Sequence, residues 1–160
     1  MSTSKHYVNP AELEKELTVF SETYKSEVLR LLTEGMEPKL SKKKAKGYIS
    51  EELGAMFLKI ANNLINKNNF NQYTYRDEMI GLGIEYLCRF AKKFDKSKKN
   101  CNGFSYCTQI CFNGFLQVIE KENKKLELKD AIIKEAMQET EMDKWAQQNM
   151  RDQNEGSNSW

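Results

Sequence analysis

Asp77-Glu78-Met79-Ile80-Gly81-Leu82-Gly83-Ile84-Glu85-Tyr86-Leu87-Cys88-Arg89-Phe90-Ala91-Lys92-Lys93-Phe94-Asp95 and, eight residues on, Gly103-Phe104-Ser105-Tyr106-Cys107-Thr108-Gln109-Ile110-Cys111-Phe112-Asn113-Gly114-Phe115 decide how this chain is read. In the first run Ile80, Ile84, Leu87, Ala91 and Phe94 are spaced for burial along a helix that begins around Tyr75. Asp77 and Glu78 fall in its first turn, where carboxylates suit the helix dipole. Lysines 92, 93, 96, 98 and 99 form an elbow, and a further helix opens near Gly103. There Tyr106, Ile110, Phe115 and Ile119 keep the rhythm, and no breaker after Gly114 stops the helix from passing Lys125. Flat rings and amides beside lysines are what a protein needs to hold unpaired bases against a phosphate backbone.

Toward the N-terminus, Asn9, Pro10 and Glu12 mark a helix start, and Leu13, Leu17, Phe20, Tyr24, Val28 and Leu31 paint one apolar stripe to about Thr33. Packing on the protein body is the favoured role of this amphipathic arm, with docking on a partner as the alternative. From Gly35 to Gly47 the pattern breaks at Pro38 and five lysines, which reads as a basic linker. Ser50 then opens a helix with Leu53, Met56, Phe57, Ile60, Leu64 and Ile65 on its core face, ending near Asn66 to Asn69. Toward the C-terminus, Ile132, Ile133, Ala136, Met137 and Trp145 suggest a separate fifth helix before a mobile polar tail from Gln147 to Ser159.

With only two prolines and eight glycines in 160 residues, an all-α fold is expected. Charge is segregated along the chain. Residues 1–37 hold four basic and seven acidic groups (net −3), residues 38–129 hold eighteen and nine (net +9), and residues 130–160 hold three and seven (net −4). The basic centre attracts polyanions and the acidic ends suit a protein partner; a solvated lysine face is the plainer alternative. Cys88, Cys101, Cys107 and Cys111, with no legible signal peptide or membrane-spanning run, point to a reducing cytoplasm. Cys107 and Cys111 are one turn apart, yet the short metal-binding pair spacing is missing and the one histidine, His6, is distant, so buried thiols acting as small hydrophobes are expected and no metal or cofactor. With no phosphate loop, nucleophile elbow or catalytic triad, and no central histidine to act as a base, an enzyme is not expected.

The run from Asp77 to Asp95, with its acidic start, aliphatic helix and closing Lys93-Phe94-Asp95, resembles the bacterial sigma-factor pattern, and Phe104-Ser105-Tyr106-Cys107-Thr108 resembles the Phe-Ser-Thr-Tyr-Ala-Thr run that follows it. The nearer resemblance is to the late-transcription sigma factors of T-even-like bacteriophages, through Tyr7-Val8-Asn9, Glu78-Met79-Ile80, Gly83-Ile84-Glu85, Thr108-Gln109 and Cys111-Phe112-Asn113, together covering roughly Tyr7 to Lys125. The resemblance implies a sigma region 2-like helical domain at 48–126, an N-terminal amphipathic helix and basic linker at 1–47, and a C-terminal helical and flexible arm at 127–160. It also implies binding to the clamp helices of host bacterial RNA polymerase core, promoter DNA with an AT-rich −10-type element as a second partner, and a place in the cytoplasm of an infected host. Glu78, Gly81, Leu82, Glu85 and Arg89 are then the polymerase contacts. Phe94 and Tyr106 line the flipped-base pocket, Phe94 being equally readable as core, while Thr108, Gln109 and Asn113 lie near DNA. Lys92, Lys93, Lys96, Lys98, Lys99, Lys121, Lys124 and Lys125 are backbone-contact candidates.

The chain also departs from the family. Gln109 and Ile110 stand where housekeeping sigma factors carry a tryptophan pair, and no helix-turn-helix for an upstream box is visible. The phage family's short apolar and acidic end, which docks on the replication sliding clamp, is not legible in Gly156-Ser157-Asn158-Ser159-Trp160, where Trp160 is the single aromatic anchor candidate. A sliding clamp and a phage co-activator are therefore partners implied by resemblance alone. Two other functions compete: a helical polymerase adaptor that never reads DNA, and a free single-strand-binding module.

Overall fold

Asn9 starts the first helix as its chemistry requires, its side-chain oxygen accepting from the amides of Ala11 (3.1 Å) and Glu12 (3.5 Å). In the computed structural model, which describes residues 7–156, five α-helices follow and no strand is present among the described residues. They are α1 (Pro10–Thr33), α2 (Pro38–Lys44), α3 (Glu51–Ile65), α4 (Arg76–Phe90), closed by a 3-10 turn at Ala91–Lys93, and α5 (Gly103–Gly156). Trp160, the candidate anchor, and His6 lie outside the described residues.

Helix α1 ends where Gly35 takes φ +85, a conformation without penalty for glycine. The Gly35 amide then bonds to the Leu32 carbonyl and the Met36 amide to the Leu31 carbonyl, both at 3.1 Å, satisfying two orphan helix carbonyls. The stretch expected to be a basic linker is instead helical over α2. Its cause is local: Pro38 fixes φ in the first turn, and only Ser41 and Ala45, four apart, turn inward. So short a buried stripe is invisible beside five lysines. Ser50 caps α3 by accepting from the Leu53 amide at 3.1 Å, and all six apolar residues expected on its core face are buried.

The chain divides into two units, residues 1–119 and 120–160. In the first, Leu13, Leu17 and Phe20 of α1 pack in one core with Leu53, Phe57 and Ile60 of α3, Met79 and Leu87 of α4, and Cys107, Cys111 and Phe115 of α5. Each fully buried side chain of this size contributes roughly 1.5–3 kcal/mol. The N-terminal arm is therefore core, in line with the favoured packing role. The buried faces of α4 and α5 depart from the expected stripes in part: Leu87, Ala91, Phe94 and Phe115 are buried as expected, whereas Tyr106, Ile110 and Ile119 are half-buried. Met79, Gly83 and Leu87 are buried on α4 while Ile80 and Ile84 are half-buried; on α5 the buried residues are Gly103, Cys107, Cys111, Gly114, Phe115 and Val118.

The departure follows from a close helix crossing. A Cβ on Gly114 would stand 2.9 Å from the Gly83 Cα and 3.0 Å from the Leu82 carbonyl oxygen, and one on Gly83 would stand 2.8 Å from the Cys111 Sγ and 2.7 Å from the Phe115 ring. Backbone meets backbone there, so the small glycines and thiols, rather than the larger apolar residues, turn inward.

The separate fifth helix is not found: α5 is continuous from Gly103 to Gly156 and takes in residues 147–156 of the expected tail, the rest of which lies outside the described residues. No proline or glycine interrupts the sequence between Gly114 and Gly156, and Lys, Glu, Leu, Gln and Met are strong helix formers. Within the second unit Leu126, Ile132, Ile133, Met137, Met142 and Trp145 are exposed. Ion pairs join Lys124 to Glu120 (2.7 Å) and Lys125 to Glu122 (2.5 Å).

Candidate functional site

Helix α4 sorts its residues by a 3.6-residue period. With Met79, Gly83 and Leu87 inward, Glu78, Leu82, Glu85 and Arg89 fall on one opposite stripe with Gly81 beside it, so the structure brings the five polymerase-contact candidates onto one helix face. Glu78, Gly81, Glu85 and Arg89 are exposed, whereas Leu82 is half-buried against the core. A Cβ on Gly81 would meet nothing within 4 Å. Arg89 reaches back to Glu85 at 3.3 Å, so one of the acidic groups is already paired within the helix.

The start of α5 is fixed by Asn102, whose side-chain oxygen accepts from the amides of Phe104 (2.9 Å) and Ser105 (3.2 Å). This cap lets the rings and amides of the following turns project from rigid helix. Gln109 and Asn113, one turn apart, lie on the exposed face, and the Gln109 Nε2 donates to the Asn113 Oδ1 at 2.9 Å. Tyr106 lies on one flank. Its hydroxyl donates to the Phe90 carbonyl at 3.3 Å, tying α5 to the end of α4, and burial pushes its proton affinity up, with the nearby Cys107 and Cys101 adding to the effect. It remains a phenol at neutral pH.

Of the two readings of Phe94, base-pocket lining or core, the structure favours core: it is 2% exposed, with its ring 5.6 Å from that of Tyr106 at an interplanar angle of 52°. The residue closes the 3-10 turn after α4, and its aromatic bulk is consumed in burying the elbow. In this conformation it supports Tyr106 from behind and offers no surface to a ligand.

Thr108 lies on the other flank of α5, its hydroxyl donating to the Phe104 carbonyl at 2.8 Å. It borders a groove of about 340 Å³ lined by Leu64, Lys67, Asn69, Phe70, Phe104, Ser105, Thr108, Gln109 and Phe112. Phe70 is buried and holds Phe112 edge-on at 5.6 Å, while Phe104 meets the Tyr7 ring at 5.6 Å. Sequence reasoning assigned no role to Phe70, Phe112 or Lys67. Phe112 stood within the aromatic run and its spacing of four from Thr108 was a usable signal; Phe70 and Lys67 come from a distant turn and gave none.

The elbow lysines divide. Lys92 sits over the Tyr24 ring at 4.4 Å and Lys93 near the Phe90 ring at 6.0 Å, whereas Lys96 pairs with Glu14 at 3.4 Å. Lys98 and Lys99 are exposed. Asp95 orders the turn by accepting from the Ser97 amide (3.0 Å) and hydroxyl (2.6 Å), and these bonds hold its carboxyl below the usual range. Lys121, Lys124 and Lys125 belong to the second unit, two of them in the ion pairs described above.

Of the four cysteines, Cys107 and Cys111 are fully buried and pushed up to about 12 by desolvation, so they behave as small apolar residues. No cluster of three or more metal-binding side chains occurs among the described residues, and no helix among them is long and apolar enough to cross a membrane. No protein-family model matches the chain, and no curated protein matches it.

Proposed function

We propose that this chain is a sigma factor of the phage late-transcription type, which directs host core RNA polymerase to promoters with an AT-rich −10-type element. The observation that carries the reading is the order of chemistry along the first turns of α5. The Gln109–Asn113 amide pair is flanked on one side by Tyr106 and on the other by the aromatic groove of Phe104 and Phe112. The sequence resemblance over Tyr7 to Lys125 supports the same assignment.

The mechanism is binding without covalent chemistry. The acidic and aliphatic stripe of α4 docks on a basic coiled coil of the polymerase, with Glu78 and Glu85 as charge partners and Leu82 and the bare backbone at Gly81 allowing close approach. Opening a duplex and extruding a base costs a few kcal/mol, least in weakly stacked AT-rich sequence. Stacking on an aromatic surface returns about 1–3 kcal/mol per base, and lysines add phosphate attraction. These magnitudes match, so capture of the non-template strand needs no ATP. Tyr106 is the first stacking surface, the groove beside Thr108 the second, and Asn113 contacts the adenine edge of the intact pair upstream. Lys93, Lys98 and Lys99 hold the backbone.

Run-off transcription from a supercoiled template with core polymerase and this protein tests the proposal. A start-specific transcript, with permanganate-reactive thymines over the element, is expected. A stable complex on wholly closed, unprotected DNA would reduce the protein to a polymerase-binding adaptor.

A further inference from the structure

A second concavity, of about 410 Å³, is lined by Tyr24, Lys42, Lys43, Arg89, Phe90, Lys92 and Lys93. Three helices build it. The Tyr24 hydroxyl on α1 donates to the Lys42 carbonyl on α2 at 3.1 Å, and the same ring lies beneath Lys92 at 4.4 Å. Tyr24 thus places the lysines of α2 beside the cations that end α4. The Arg89 guanidinium stands 5.4 Å from the centre of the Phe90 ring, and the Tyr86 ring meets Phe90 edge-on at 5.2 Å. Five cations line the hollow and no carboxylate is among its described lining residues; Glu85 pairs with Arg89 at 3.3 Å.

We infer that this hollow is a phosphate site for the sugar–phosphate backbone of DNA, with Lys42, Lys43, Arg89, Lys92 and Lys93 as its contacts and Tyr24 as the residue that positions them. The inference extends the proposed function and moves Arg89 from the polymerase-contact set to the DNA side. Two features favour backbone phosphate over bases. Both rings in the hollow are already engaged, Tyr24 by Lys92 and Phe90 by Arg89, Lys93 and Tyr86, so neither is open for stacking. The cations also crowd one another: burial first, then Lys93 and Arg89, lower the proton affinity of Lys92, a tension that an incoming phosphate relieves. A guanidinium and several ammonium groups in one small concavity match the anionic oxygens of adjacent phosphates.

The test needs the full chain and no polymerase, so its outcome is independent of whether the chain initiates transcription. Anisotropy of fluorescein-labelled oligo-dT and oligo-dA single strands is followed across a salt series. Lys42→Ala/Lys43→Ala alters exposed side chains on α2, and far-UV circular dichroism verifies that it folds. It is expected to flatten the slope of log Kobs against log salt by about 1.4, that is about 0.7 for each of two lost phosphate contacts, equally for both strands. Lys15→Ala/Lys59→Ala, which removes the same charge from exposed positions on α1 and α3, leaves the slope as it was. Equal flattening by the two double variants, or flattening confined to one base, overturns the inference. So does an unchanged DNA slope for Lys42→Ala/Lys43→Ala together with lost binding of polyglutamate, which would assign the hollow to an acidic protein segment.

Discussion

Substituting alanine at Gly114 tests the crossing that aligns the two functional helices. The new Cβ would lie 2.9 Å from the Gly83 Cα, 3.0 Å from the Leu82 oxygen and 3.1 Å from the Gly83 nitrogen, where relaxed carbon contacts sit at about 3.5–4.0 Å. All three atoms are backbone, so no rotamer change relieves the clash and α4 must move by about 0.5–1 Å. Overpacking of this kind costs about 1–3 kcal/mol, offset by about 0.8–1 kcal/mol because alanine is the better helix former. The net expectation is destabilisation by up to about 2 kcal/mol. Gly83→Ala meets Phe115 and Cys111 instead, both fully buried, and should lose a similar amount. Because the two glycines share one contact, the double variant should lose less than the sum of the singles by at least about 0.5 kcal/mol. Gly54→Ala supplies the opposite sign: its Cβ meets nothing within 4 Å, so it should stabilise α3 by up to about 1 kcal/mol. Urea unfolding followed by the near-ultraviolet tyrosine signal is the suitable assay, since residues 1–119 contain no tryptophan. A midpoint for Gly114→Ala at or above that of the parent would refute the backbone contact and the departure of the core faces derived from it.

Other substitutions test separate parts of the argument. Tyr106→Ala should lower promoter opening, read by permanganate reactivity, more than polymerase affinity, whereas Glu85→Lys should do the reverse; equal effects on both steps would reject the division of labour between α4 and α5. Ser21→Ala should stabilise the first unit by about 1 kcal/mol in urea unfolding, because the buried Ser21 hydroxyl has no hydrogen-bond partner and its desolvation is uncompensated. The raised thiols of Cys107 and Cys111 bind their protons more tightly in the folded than in the unfolded chain. Their contribution is therefore complete below about pH 8.5, the ordinary thiol value, and is lost as pH rises toward about 12. Unfolding midpoints measured from pH 7 to 10.5 should fall over the alkaline part of that range, and Cys107→Ala/Cys111→Ala should reduce the fall; an identical pH profile for the variant would contradict the assignment.

The helices whose starts and core faces are written in adjacent residues were legible. Asn9-Pro10, Ser50 and the stripe from Leu53 to Ile65 announce themselves because capping and periodicity are local properties. What hid was anything decided by two segments together. Hydrophobicity ranks Ile80 and Ile110 above Gly83 and Cys111, but the approach of α4 to α5 selects for size, so at the crossing a small neighbour is buried in place of the isoleucine, while Leu87 and Phe115 were read correctly. Helix α2 was hidden because two small inward residues do not make a period. At the candidate site, Tyr106, Thr108, Gln109 and Asn113 were named through the sigma-factor resemblance, and the structure places Tyr106 and Thr108 on opposite flanks of α5. For Phe94 both a pocket-lining and a core reading stood open, since ring chemistry alone does not tell a surface from a support, and burial favours the core reading. Phe70 and Lys67, and the union of Tyr24 with Lys42 and Lys92, required the tertiary fold.

Under the proposed function, the bond from Gln109 to Asn113 has a bearing on base discrimination. By spending one amide nitrogen against one amide oxygen, the pair leaves a carboxamide oxygen on one residue and a carboxamide nitrogen on the other uncommitted to each other. Reversing both side chains preserves that count, one acceptor and one donor outward. In the major groove adenine offers a complementary donor and acceptor, whereas guanine offers two acceptors and leaves the oxygen unanswered. A duet of this kind tolerates a flipped amide yet still penalises the wrong purine.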